Sequence, residues 1–118
     1  MSIAKTNELI LRDKVFALVG PLGTANFTAV HKSVGLSKRG VPSLFLNTGF
    51  SGFSNKKSYP SSFMILPSYA MEAKVIAQFL KENHAGKKLG IVYQNDEFGI
   101  DGLGAFKAAG TKFDVSIP

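Results

Sequence analysis

The stretch KVFALVGPLGTANFT (residues 14–28) constrains the fold more than any other. Its five consecutive apolar residues, Val15-Phe16-Ala17-Leu18-Val19, show no polar alternation. Such a run reads as a strand buried on both faces, as in a parallel sheet. It stops at Gly20, and Gly-Pro-Leu-Gly is turn chemistry. Thr24 then stands where an N-cap belongs, ahead of a helix in which Phe27, Val30 and Val34 share one face. Strand, tight loop and helix N-terminus in that order point bound groups out of the carboxyl edge of a sheet, where open α/β folds hold small molecules.

The remainder repeats this grammar. Residues 4–12 read as the end of a helix, closed by Asp13-Lys14. The helix over 24–38 weakens at Gly35 and stops at Gly40. A second strand covers 43–47, and 48–59, rich in Gly, Ser, Asn and Lys, reads as a surface loop. A third strand, 63–66, ends at Pro67. Ser68 caps the clearest helix, with Ala73, Ile76, Ala77 and Leu80 at i, i+3, i+4, i+7, Glu72 early and Lys81 late. A strand over 88–93, a polar loop over 94–99, a helix over 100–109 and a strand over 113–117 complete the chain. The order α-β-α-β-β-α-β-α-β defines an α/β class with a mainly parallel sheet. A doubly wound domain ordinarily opens on a strand and covers its last one. This chain opens on a helix and ends on a bare strand, so the expectation is a window cut from a longer fold.

Composition removes several function classes. The 118 residues are 45% apolar, enough for a core, and contain no cysteine. Disulfides, thiolate metal sites and a Cys nucleophile are therefore excluded. The net charge of +6 invites a polyanion, but the cations occur singly or in pairs, with neither zinc-finger spacing nor an RNA-binding aromatic signature. A nucleic-acid partner is not expected. The first residues, MSIAKTNELILRDK, carry no signal-peptide pattern. The loop after Gly20 lacks the lysine of a phosphate-binding loop. Asp96, Glu97 and Asp101 surround a helix start, where the dipole favours acids, so no metal is expected there. His31 and His84 lie on helical segments among polar neighbours and are expected to face solvent. Ser54, Ser58, Ser61 and Ser62 show no nucleophile-elbow spacing, so neither catalysis nor a cofactor is expected.

Four stretches in register, DKVFALVGPLGTA (13–25), KRGVPSLFLNTG (38–49), KKSYPSSFMILPSYAMEAKVIAQFL (56–80) and KKLGIVYQNDEFGIDGL (87–103), carry a resemblance. The chain resembles the solute-binding proteins of ABC transporters with the type I periplasmic-binding fold, in the branched-chain amino acid branch. The resemblance implies two α/β lobes closing on a ligand, a partial first lobe over 1–67 and a partial second over 68–118, with the hinge near 66–68. It also implies that only the middle of such a protein is present.

In that family, backbone amides and hydroxyls at two loops of the first lobe hold the charged ends of the amino acid. Carried over by position, these are Leu22, Gly23 and Thr24, and Asn47, Thr48 and Gly49. Phe98 matches a second-lobe position where the family often has Tyr; the phenyl ring keeps the apolar contact and loses the hydroxyl. The implied function is capture of a small amino acid, an amide or a small aromatic acid for delivery to a transporter permease, outside the cytoplasm and without catalysis. Two other readings stand beside it. One is a non-binding piece that serves only as a folding or assembly unit. The other is a flavodoxin-like signalling or enzyme domain with all five strands in one sheet. An open sheet edge and an uncovered apolar face lead to the further expectation of a homodimer or larger assembly, by edge pairing or swapping.

Overall fold

The computed structural model describes residues 1–112 and 115–117, the last three by backbone alone. The chain divides into two compact units, Met1–Leu66 and Pro67–Pro118.

Unit 1 starts with α1, Ser2–Asn7, which runs on into a π-helical turn, Glu8–Arg12. There follow β1 (Leu18–Val19), α2 (Thr24–Val34), α3 (Leu36–Arg39), β2 (Ser43–Leu46), a 3-10 turn (Ser51–Ser54) and β3 (Ser62–Met64). The three strands form one parallel sheet in the order β1-β2-β3. Leu18, Ser43 and Ser62 stand side by side in register and are all buried. Phe27, Val30 and Val34, the stripe expected from the 3.6-residue period, lie in the core with Leu18, Leu36, Leu46 and Phe53. Phe53 packs edge-on to Phe27, with ring centroids 5.1 Å apart. Burial of each of these two rings contributes about 2–3 kcal/mol.

Two expectations need correcting here. The helix over 24–38 is two helices. Gly35, at φ 69°, closes α2 in a left-handed turn, and Leu36 restarts the helix so that its side chain is buried. The strand expected over 15–19 shrinks to two residues and is not covered on both faces. Val15 N–H turns back to the Leu9 carbonyl at 3.1 Å. Pairing with β2 begins only where Leu18 N–H meets the Pro42 carbonyl at 2.8 Å. Leu18 faces the helices, whereas Val19 is 69% exposed. Phe45, at φ 56° beside the register shift of β2, is also exposed, as are Phe63 and Ile65. An uninterrupted apolar run therefore does not report two covered faces in this unit.

Unit 2 holds α4 (Tyr69–Asn83), β4 (Gly90–Val92), α5 (Glu97–Ala108) and β5 (Val115–Ile117). α4 packs on α5, and β4 pairs parallel with β5. Ser68 caps α4 as the sequence predicts, its hydroxyl accepting from Met71 N–H at 3.3 Å, and Ala73 is fully buried. α5 begins a turn earlier than its apolar period indicates. Asp96 Oδ1 accepts from Phe98 N–H at 3.0 Å and from Gly99 N–H at 3.2 Å, which satisfies two donors of the first turn. Of the strand expected over 113–117, Val115–Ile117 is observed, while Phe113 and Asp114 lie outside the described residues. Among the described residues the strands pair as β1-β2-β3 and β4-β5, in two sheets and not in the single five-stranded flavodoxin-like one.

Candidate functional site

At the carboxyl ends of β1 and β2 the two strands continue as neighbouring loops. Leu22 and Asn47 form an isolated parallel bridge. Asn47 N–H donates to the Pro21 carbonyl at 2.8 Å, and Gly23 N–H donates to the Asn47 carbonyl at 3.3 Å. This staple brings the two segments named from the resemblance, 22–24 and 47–49, into one place. One residue beyond it on each side, Thr24 and Thr48 meet with their hydroxyl oxygens 2.7 Å apart, both buried. Thr48 Oγ1 also accepts from Phe50 N–H at 3.2 Å, which sets the turn after β2. Gly49 is buried, and the side chains of Leu22 and Asn47 are exposed.

Thr24 is not the N-cap. Gly23 occupies that position at φ 90°, a conformation glycine adopts without strain, and Thr24 is the first residue of α2. Its hydroxyl is thereby free of capping duty and turns to Thr48. Phe27 N–H is the one that reaches back to the Gly23 carbonyl, at 3.1 Å. The N–H groups of residues 24–26 find no acceptor inside the helix, as at any helix start. Chemically this is a site of oriented N–H donors at the positive end of a helix dipole, held against a buried hydroxyl pair. It suits a carboxylate or another oxyanion.

Phe98 lies in unit 2 as the second residue of α5 and is 45% exposed. Its ring packs edge-on against Tyr69, with centroids 5.5 Å apart. Tyr69 is an aromatic the sequence reading did not single out. Its position directly after the Ser68 cap is the signal that could have found it. Asp96 serves as the cap of α5, and among the described residues no cluster of three or more metal-ligating side chains exists.

His31 departs from the solvent-facing expectation. Its ring is half-buried between Phe27, at 5.9 Å, and Tyr59, at 4.4 Å. His31 Nε2 lies 2.7 Å from Ser37 Oγ, and Ser37 Oγ donates to the Ser58 carbonyl at 3.3 Å. Since the single hydroxyl proton goes to Ser58, the imidazole supplies Nε2–H. Burial pushes the His31 pKa below its ordinary value. The unfolded chain therefore takes up a proton at His31 before the folded one does. Stability is expected to be flat above pH 7, to fall as pH drops from about 6.5 through the lower folded pKa, and to level off below it. Urea midpoints measured from pH 8 to 5 test this. A His31→Gln chain should lose the inflection, and a decline of equal size in that variant would refute the assignment.

Charge separates by unit in a way the scattered lysines conceal. Unit 1 holds eight of the 14 Lys and Arg residues and two of the eight Asp and Glu residues, so the whole formal charge of +6 falls on it. Its two acids, Glu8 and Asp13, are paired with Lys5 and Arg12. From Lys14 to Met71 the sequence contains no carboxylate.

The profile of the periplasmic binding protein family matches residues 1–118, the entire chain. The chain belongs to the periplasmic binding protein family. Its solved relatives include an ABC-transporter solute-binding protein from R. palustris in complex with 4-hydroxybenzoate, at 28% identity and a TM-score of 0.81. A second, from Rhodopseudomonas palustris HaA2 in complex with p-hydroxybenzoic acid, matches at 26% identity and a TM-score of 0.78. Each match covers 98% of this chain and 31% of the relative, so the chain spans about a third of their length. A possible leucine/isoleucine/valine-binding protein from Rhodopirellula baltica SH 1 shares the fold at 23% identity and a TM-score of 0.78, over 92% of this chain and 28% of that one. No curated protein sequence matches the chain. The family is one of transporter solute receptors and not of enzymes.

Proposed function

We propose that this chain contributes the carboxylate-holding part of an ABC-transporter solute receptor, and that the solute is a small aromatic acid. The observation that carries this is the stapled loop pair at the sheet edge. It sets the α2 N-terminus beside the Thr24–Thr48 hydroxyl pair. The N–H groups of the first helical turn take the carboxylate, and the hydroxyl pair fixes the spacing of the two loops around it. Within unit 2, the exposed Phe98 packs edge-on with Tyr69 as an apolar pair. An amino acid is the less favoured solute, because its ammonium group needs a carboxylate or several carbonyls. Unit 1 places its only two carboxylates at the start of the π-helical turn, Glu8, and directly after it, Asp13, already paired. The relatives that hold hydroxybenzoates support the same choice. Delivery to a membrane permease and residence outside the cytoplasm follow from the same reading.

The test is calorimetric titration with 4-hydroxybenzoate, benzamide and leucine, alongside sedimentation equilibrium of the 12.7 kDa chain. The expected order is the aromatic acid first, the neutral amide undetectable and leucine at least tenfold weaker. Equal binding of acid and amide would overturn the carboxylate assignment. The edge strand β1, next to a groove of about 460 Å³ floored by Leu18, Phe27 and Val30, supports self-association through this edge. A dimer by sedimentation is the corresponding expected result.

A further inference from the structure

Unit 1 contains a second cavity of about 340 Å³ that the carboxylate site does not use. It lies toward the C-terminal end of α2, with Thr28, His31 and Lys32 on one wall, Ser37 and Lys38 of α3 on another, and Tyr59 closing the third side. Thr28, His31 and Lys32 stand at i, i+3 and i+4, so one helix face presents all three. Thr28 is four residues along α2 from Thr24, about 6 Å of helix rise. Three observations converge on this cavity. Thr28 Oγ1 is buried and has no hydrogen-bond partner, which is costly for a hydroxyl unless something enters the cavity to meet it. Lys32 and Lys38 flank it from two different helices. No acid lines the cavity, and the other charged residues of α3 and of the 55–59 turn, Arg39, Lys56 and Lys57, are cations too.

The ordinary reason for lysines here would be neutralisation of the α2 C-terminus. Two carbonyls of that end are already engaged by other groups. Gly35 N–H bonds the His31 carbonyl at 3.1 Å, and Arg39 Nε bonds the Val34 carbonyl at 2.8 Å. We propose that this cavity is a phosphate site, in which Lys32 and Lys38 pair with the charged oxygens of a phosphoryl group and Thr28 donates its hydroxyl to a third. A tetrahedral dianion matches two cations and a hydroxyl donor better than a planar monoanion does. The His31–Ser37–Ser58 hydrogen-bond chain holds α3 and the 55–59 turn against α2 and so keeps the cavity open. The group enters as free phosphate or as a phosphate monoester, since the same three donors serve both.

Thermal unfolding of the chain in inorganic phosphate, against sodium chloride at matched ionic strength, tests the proposal. The expected shift at 10 mM phosphate is a rise in Tm of about 5 °C, for a site of millimolar affinity. Thr28→Val removes the hydroxyl without changing shape, so it should fold at least as well and lose most of the shift. Lys32→Ala and Lys38→Ala should each do the same. Phenyl phosphate in place of phosphate separates the two sources: a larger shift marks the monoester, an equal one the free ion, and either supports the site. His31 ring resonances give an independent readout, since a bound dianion raises the imidazole pKa. A phosphate shift no larger than that of chloride overturns the proposal, as does one that survives Thr28→Val and the lysine variants. A shift abolished by Thr24→Val while Thr28→Val retains it would move the anion to the carboxylate site and also overturn it.

Discussion

Replacing Gly99 by alanine is expected to unfold unit 2. Gly99 is buried in the first turn of α5, and a Cβ at this position would lie 1.9 Å from the Gln94 carbonyl oxygen and 2.7 Å from the Gln94 nitrogen. Both are backbone atoms, so no rotamer change relieves the clash. Relief requires pulling the 94–99 loop away from the helix start. That would break the two N–H bonds accepted by Asp96 and the 2.6 Å bond from Gln94 Nε2 to Asp96 Oδ2. One lost cap costs about 1 kcal/mol. With the backbone overlap added, the expected cost is about 4 kcal/mol, at the extreme of single substitutions. Hydrogen exchange at Gly90, Ile91 and Val92 reads unit 2, and exchange at Leu44 and Leu46 reads unit 1. Protection should collapse in β4 and persist in β2. Undiminished protection in β4 would show that the loop can shift at little cost. Gly102 supplies the control, because a Cβ there meets nothing within 4 Å, and alanine at that position should be neutral or slightly stabilising in the helix.

Gly99 also shows where the sequence stops being legible. The apolar period that identifies α5 begins at Ile100, and its α4 counterpart begins just after Ser68, so the existence and order of the helices follow from local pattern alone. The exact start of α5 depends on Asp96 folding back onto two amides, which leaves no periodic trace. The same holds for Gly35. Its composition signal says that the helix weakens, while the restart at Leu36 comes from a buried side chain that only the assembled core provides. In the candidate site, the helix N-terminus could be read from Gly-Pro-Leu-Gly-Thr. The partner of Thr24 could not, because Thr48 lies 24 residues away and reaches it through the β1–β2 register. The setting of His31 is hidden from the sequence for the same reason. Its neighbours in sequence are polar, but its neighbours in space are Phe27, Tyr59 and Ser37.

The Thr24–Thr48 pair yields the most discriminating result, because stability and binding should respond differently to the same substitutions. Thr24→Val leaves the Thr48 hydroxyl buried with its α2 partner gone, and Thr48→Val does the converse while also removing the acceptor of Phe50 N–H. Removing one partner of a buried hydrogen bond costs about 1–3 kcal/mol. Replacing both by valine removes the pair together, and similar shape keeps the packing. The double variant should therefore be less destabilised than the sum of the two single ones, with a coupling energy of about 1–2 kcal/mol from urea unfolding. Affinity for 4-hydroxybenzoate should not recover in this way. If the hydroxyl pair spaces the two loops around a charged group, each single variant should weaken binding ten- to a hundredfold, and the double variant should stay at least as weak as either. A double variant that regains both stability and affinity would reduce the pair to a packing element and leave the helix N–H groups alone holding the carboxylate. Loss of affinity without any coupling in stability would mean that each hydroxyl contacts the solute separately, and the 2.7 Å contact between them would be incidental to the fold.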